Sequence, residues 1–178
     1  MSTLTLSMDG FLVSIWLGFK KHNPREGNMD PMQELVEIEA IKNLRIQYSH
    51  YFDGQHVDAL ADLFTEDAVC EFGPDYGGDW VGKAQIRENF QQWSLGEGDP
   101  YSVLHAVTNP LIRLIDETTA HGRWYLLDLR TTEGVDNPLI LFGIYDDVYR
   151  KVDGNWLIHR TRIDFLWPKR HMGEPRSL

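Results

Sequence analysis

Ala120-His121-Gly122-Arg123-Trp124-Tyr125-Leu126-Leu127-Asp128-Leu129-Arg130 is the stretch from which the rest of the chain can be read. In an extended strand Gly122, Trp124, Leu126, Asp128 and Arg130 share one face, and His121, Arg123, Tyr125, Leu127 and Leu129 share the other. It is the second of four long strand-like segments, at about 103–115, 120–132, 138–151 and 155–167. Asp116-Glu117-Thr118-Thr119 separates the first two, and Asp153-Gly154, with the residue pair of a type I′ turn, separates the last two. Long strands joined by short turns predict an antiparallel meander.

Upstream the periodicity changes from two to 3.6. Asp30-Pro31-Met32-Gln33 predicts a helix start, with an acidic N-cap, proline at the first helical position and a glutamine placed to reach back to the cap. Leu35, Ile38, Ile41, Leu44, Tyr48 and Tyr51 or Phe52 follow at helical spacing, and Gly54 suits the stop. Shorter helices are expected around Val57–Phe64 and Ile86–Trp93, with brief strands at Ala68–Phe72 and Asp79–Val81. The glycine-rich Pro74–Gly78 turn between those strands has no phosphate-cradle pattern. Helices first and a meander after them predict an α+β domain in which the N-terminal helices pack on a curved antiparallel sheet.

The composition narrows the function. A net charge of -10, from 27 acidic and 17 basic residues, argues against a nucleic-acid partner, whose phosphates need a basic surface. The lone cysteine, Cys70, provides no disulfide framework, which suits a reducing cytoplasm; it reads as a buried side chain, with a thiol nucleophile as the alternative. The apolar run Phe11–Phe19 is too short for a membrane span and lacks the flanks of a signal peptide. Residues 1–28 are read as an extension, poorly ordered or an arm onto a neighbouring subunit, ahead of a domain at 29–168 and a tail at 169–178.

Two polar residues stand where the pattern calls for core: Asp53 at the end of the long helix and His105 inside the first long strand. Brought together, the carboxylate would hold one imidazole nitrogen and leave the other free to take a proton. Asp128 is an acid beside Trp124 and Leu126, so it is either paired, with Arg130 the nearest cation, or placed in a cavity to do chemistry. Tyr48, on the apolar side of the helix, would need a partner for its hydroxyl. His50 and His56 read as solvated. The histidines lack the spacing of a metal site, and neither a metal nor an organic cofactor is expected.

From Met32 to Trp167 the chain resembles the SnoaL-like group of the nuclear transport factor 2-like superfamily. The likeness is nearest to bile-acid dehydratases, with scytalone dehydratase and hexachlorocyclohexane dehydrochlorinase more distant. It is carried by Ile38–Leu44, the Tyr48-to-Asp53 spacing, His105 in Leu-His-Ala-Val-Thr-Asn-Pro, and Thr118–Asp128. The resemblance implies a cone-shaped α+β barrel of the cystatin-like kind, a His105–Asp53 catalytic dyad, and Tyr48 and Asp128 completing the polar set. It also implies an arginine on the last strand, but that position falls near Thr161 or Phe165, with Arg160 and Arg162 on the opposite strand face. The activity implied is a cofactor-independent lyase, a dehydratase eliminating water from a hydroxylated cyclic oxo substrate, steroid-like or polyketide-like.

Phe52, Phe72, Trp124, Phe142 and Phe165 are expected to form the apolar wall of the substrate pocket. An isomerase or polyketide cyclase with the same base is one alternative, and a binding protein or dioxygenase small-subunit-like protein is another. Trp156 and Ile158 are expected on the outer sheet face, where a homo-oligomer, dimer or trimer, would cover them and the tail Pro168–Leu178 would cross onto a neighbour.

Overall fold

Pro31 opens the first helix, α1 (Pro31–Asp53), at the position where its missing N–H costs no hydrogen bond. In this computed structural model, which describes residues 29–74, 77–95, 102–174 and 176, the helix runs to the expected Gly54. The reading of residues 1–28 lies outside the described residues. The expected capping box does not form: Asp30 makes no side-chain cap bond, and Gln33 reaches forward to Glu37 instead of back. Glu37 is better placed for it, because it also accepts from Lys151 Nζ and Trp156 Nε1 on the sheet.

Helix α2 (Val57–Ala61) is shorter than its apolar spacing suggests, because Phe64 already belongs to strand β1 (Phe64–Glu71). After β2 (Trp80–Val81) and α3 (Lys83–Leu95) come the four long strands, β3 (Val103–Leu114), β4 (Thr119–Arg130), β5 (Leu139–Val152) and β6 (Asn155–Trp167). They form one curved sheet in the order β2-β1-β6-β5-β4-β3, antiparallel except where β1 runs parallel to β6. The sheet stays open, with β2 and β3 as its edges, so the implied barrel is an incomplete one. The helices cover its concave face. Among the described residues no helix is long and apolar enough to cross a membrane.

Of the bulges that reset the alternation of side chains, those in β3 and in the first half of β6 bear on the expected faces. In β3 one extra residue lies between the pairs Thr108–Tyr125 and Leu111–Arg123, where Asn109 adopts a left-handed φ of 52° before Pro110. In β6 the extra residue is His159, between Tyr149–Ile158 and Val148–Arg160. The second bulge corrects the outer-face reading: Trp156 and Ile158 are buried on the helix side, and downstream of His159 the inward positions pass to Thr161 and Ile163. Arg160 and Arg162 face outward because of this bulge, since plain alternation from the inward Trp156 and Ile158 would turn them into the cavity.

Outward-facing charges make a row across four strands. Asp146 on β5 meets Arg123 of β4 at 3.7 Å and Arg162 of β6 at 3.2 Å, and Arg160 pairs with Glu71 of β1. The described part of the tail folds back on its own sheet rather than onto a neighbour. His171 exchanges backbone hydrogen bonds with Phe165, Gly173 N–H donates to Asp164, and Arg176 reaches both Asp146 and Glu71.

Among the described residues the concave core holds one ion pair with both side chains fully buried. Arg45 of α1 has no solvent exposure, and its Nε lies 3.4 Å from Asp147 of β5. Thr161 Oγ1 and Tyr149 OH each donate to Asp147 at 2.6 Å, Trp124 Nε1 donates to Tyr149, and Arg45 Nη2 donates to Thr161. Gly122 gives this cluster room, since a Cβ there would come within 2.8 Å of the Tyr149 ring. Removing one member of such a pair strands the other charge. Arg45→Met should therefore lower stability by about 3–5 kcal/mol in urea unfolding, and Arg45→Met with Asp147→Asn should recover a large part of it. Equal losses in the single and double variants would show that the pair contributes through packing alone.

Candidate active site

Asp53 is the last residue of α1 and His105 the third of β3, and the packing of helix end on sheet edge joins them. The carboxylate accepts from the His105 backbone N–H, at 3.0 Å to Oδ2, and meets His105 Nδ1 at 2.6 Å through Oδ1. An ionised carboxylate can only accept, so in this pair Nδ1 is the donor, and Nε2 is the ring nitrogen turned toward Asp128. The Phe52 ring packs edge-on against the imidazole, 4.4 Å between centroids, and fixes its plane.

Asp128 stands directly opposite His105 in the β3–β4 pairing, which is why the two side chains emerge together. Its Oδ2 lies 3.8 Å from His105 Nε2, while its Oδ1 is buried with no hydrogen-bond partner. Burial raises the Asp128 carboxyl above its ordinary value; His105 opposes the shift, Asp53 adds to it, and Arg130 opposes it. Arg130 lies two residues further along the same face and also lines the cavity.

These groups open on a cavity of about 300 Å³ between α1, α3 and the concave sheet, lined among others by Tyr48, Phe52, Phe72, Trp80, Leu126 and Tyr145. Tyr48 is buried at its floor, and burial raises its phenol well above the ordinary value, so the hydroxyl remains a donor. Beneath it the Arg45 guanidinium lies 4.3 Å from the Tyr48 ring and 3.4 Å from that of Tyr145. Tyr145 was not singled out by the sequence reading, although it follows Leu141 and Gly143 at strand spacing on β5, and that alternation was the available signal.

Of the five expected wall residues, Phe52 and Phe72 line this cavity and three stand elsewhere. Trp124 is buried deeper, donating to Tyr149 in the Arg45 cluster. Phe142 pairs with Leu127 on the outer face, one position out of phase with Leu141. Phe165 belongs to a second cavity near the tail. His50 and His56 are exposed. Cys70 is buried, and burial pushes its thiol well above the ordinary value, which removes the nucleophile alternative. Among the described residues no three His, Cys, Asp or Glu side chains gather as a metal site.

Residues 33–162 match the family model of the SnoaL-like domain. Among solved structures, one from Novosphingobium aromaticivorans, provisionally assigned as a scytalone dehydratase, is 27% identical with a TM-score of 0.66, covering 82% of this chain and 97% of its own. Another from the same organism, provisionally assigned as an aromatic ring hydroxylase, is 29% identical with a TM-score of 0.64, covering 75% and 92%. LinA is similar in fold, with a TM-score of 0.66 at 18% identity, covering 84% of this chain and 99% of its own. A structure described as nuclear transport factor 2-like with a cystatin-like fold scores 0.64 over 80% of this chain and 94% of its own.

The raised Asp128 pKa has a consequence for stability. A carboxyl that holds its proton more tightly folded than unfolded costs stability above the unfolded value, near 3.8, and the cost grows until the folded value is passed. Asp128→Asn, which keeps the shape without the charge, should raise Tm at neutral pH, and the difference from wild type should close as pH falls below about 4. A difference in Tm independent of pH would mean that the carboxyl titrates normally in the fold.

Proposed function

This chain belongs to the SnoaL-like domain family, and from that premise we propose that it is a cofactor-independent lyase that eliminates water from a hydroxylated cyclic oxo substrate. The observation that carries the reading is the Asp53–His105 contact of 2.6 Å, which directs a free imidazole nitrogen into an apolar cavity beside a carboxyl whose pKa is raised by burial.

The proton inventory closes on these residues. His105 Nε2 takes the proton from the carbon that the substrate carbonyl acidifies, and Asp53 stabilises the imidazolium. The C–H electron pair enters the ring as the new double bond while the C–O bond breaks. Burial favours the protonated form of Asp128, and in that form it gives its proton to the departing hydroxyl, which leaves as water. An imidazolium then faces a carboxylate across 3.8 Å, and return of the proton from Nε2 to Asp128 restores the starting state. Tyr48 donates to the developing enolate oxygen. The surrounding aromatic wall excludes water and strengthens each of these interactions.

A self-association role for the outer sheet face belongs to the same reading, on different residues from those first expected. Leu104, Tyr125, Phe142 and Trp167 are exposed there, and the pairs Leu104–Leu129, Leu127–Phe142 and Phe142–Trp167 join them in one apolar patch. We propose a homo-oligomer, dimer or trimer, that covers it. Light scattering at micromolar concentration should give a multiple of 20.6 kDa, and Phe142→Glu should shift it to the single-chain mass; a wild-type monomer would refute the assembly.

The chemical test is turnover of a panel of hydroxylated oxo-steroids and aromatic polyketide precursors, followed by mass spectrometry. The expected product is lighter by one water, and His105→Ala should reduce kcat by about 10²–10⁴-fold with little change in substrate affinity. A product of unchanged mass would convert the reading to an isomerase or cyclase using the same base. Full activity in His105→Ala would end the dyad mechanism.

A further inference from the structure

Stability alone does not explain Arg45. A buried ion pair is worth no more to a fold than apolar side chains of the same volume, and this one is incompletely paired. Among the described residues its Nε and Nη1 make no hydrogen bond, and Nη2 donates to Thr161. The rest of the guanidinium lies against rings. Its central carbon is 3.4 Å from the centroid of Tyr145 and 4.3 Å from that of Tyr48, and both tyrosines line the active-site cavity. What an apolar pair could not supply at that depth is a permanent positive charge.

Tyr48 comes from α1 and Tyr145 from β5. Their rings meet edge to face, 5.9 Å between centroids, and their hydroxyls lie close enough to interact. A donor to an oxyanion has to keep its own proton and yet donate strongly. Burial and the neighbouring Tyr145 raise the Tyr48 phenol, which meets the first demand, and the Arg45 charge acts in the opposite sense, which meets the second. Cys70, a further titratable neighbour of Tyr48, is buried and keeps its thiol proton. The other ionisable groups lining the cavity have different work or a different place. In the elimination His105 takes the carbon proton and Asp128 serves the leaving hydroxyl, while Arg130 is exposed.

We propose that Arg45 is a positioning residue for the reaction: from beneath the cavity floor it makes the phenols of Tyr48 and Tyr145 a paired donor for one oxyanion, so that an oxo substrate enters carbonyl first. This rests on the elimination reading above and adds a second donor, Tyr145, and a direction for the substrate. The leaving hydroxyl then lies beside Asp128 on β4. Substituents remote from the carbonyl face outward, toward Arg130.

Pentafluorophenolate, an aromatic ring carrying an oxyanion in mildly alkaline buffer, tests this against pentafluorobenzene, the same ring without the oxygen, by fluorine NMR titration on the full chain. Wild type should bind the phenolate about tenfold or more tightly than the neutral ring. Arg45→Met with Asp147→Asn removes both charges together; it should weaken the phenolate by about tenfold or more and the neutral ring by less than about twofold. If that variant does not fold, Arg45→Gln with Asp147→Asn, which keeps a donor for Thr161, replaces it with the same expectation. Arg45→Lys, which keeps the charge, should hold the phenolate within about threefold of wild type. Tyr48→Phe and Tyr145→Phe, which keep the rings, should each weaken the phenolate alone by about threefold or more. Equal affinity of wild type for the two probes overturns the inference, as does equal weakening of both by loss of Arg45, which would mean that the arginine shapes the cavity and nothing more. It is also overturned if Tyr145→Phe binds the phenolate as wild type does, or if Arg130→Gln rather than the tyrosine variants abolishes the preference. Neither probe can lose water, so the two readings fail separately. Elimination without a phenolate preference removes only the role of Arg45, and the preference without elimination removes only the lyase.

Discussion

The buried ion pair between Arg45 and Asp147 sets the position of nearly everything else. A guanidinium with no solvent exposure needs its partners placed to match, and with Nε and Nη1 lacking hydrogen bonds Arg45 depends on the Asp147 contact, the Nη2–Thr161 bond and the rings of Tyr48 and Tyr145, which ties the height and rotation of α1 to the sheet. That rotation carries the functional groups with it. Tyr48 is one turn beyond Arg45 and Phe52 one turn beyond Tyr48, so the three side chains share a stripe of the helix, and Asp53 follows where the helix ends. The same cation lies under the rings of Tyr48 and Tyr145, so the structural anchor is also a fixed positive charge beneath the cavity floor.

On the sheet the corresponding constraint is register. His105 and Asp128 are opposite each other because β3 and β4 pair without a shift between Val103 and Thr108, and the bulge at Asn109 comes only after the pair has been set. Asp53 then ties the end of α1 to β3 through both the backbone and the ring of His105. Helix height and strand register are thus fixed independently, and the site lies where the two meet.

Much of this is written openly in the chain. Pro31 and Gly54 bound the first helix, turn residues separate the long strands, and an acid and a histidine stand out against apolar surroundings. What cannot be read locally is phase. The bulge at His159 adds one residue without altering the composition of β6, where apolar residues occur in both parities, so Trp156 and Ile158 could be assigned to either face until the pairing partners were known. Phe142 illustrates the same limit, since Leu141 and Phe142 are both apolar and only the register with β4 decides which enters the cavity. Trp124 lies on the predicted face but is claimed by a buried polar cluster whose members come from four separate elements. The back-folding tail depends on distant ion pairs that no local pattern announces.

The open sheet leaves β3 as a terminal strand, and terminal strands invite other chains to add to them. The backbone N–H of His105 is directed away from β4, toward solvent or a foreign strand, and it is this donor that the Asp53 carboxylate occupies. Pro110, without an N–H, and the bulge at Asn109 blunt the strand further along. The geometry proposed for catalysis and the defence against aggregation therefore share a carboxylate. A chain drifting away from this chemistry could not discard Asp53 freely, because its loss would also expose an amide on the open edge of the sheet.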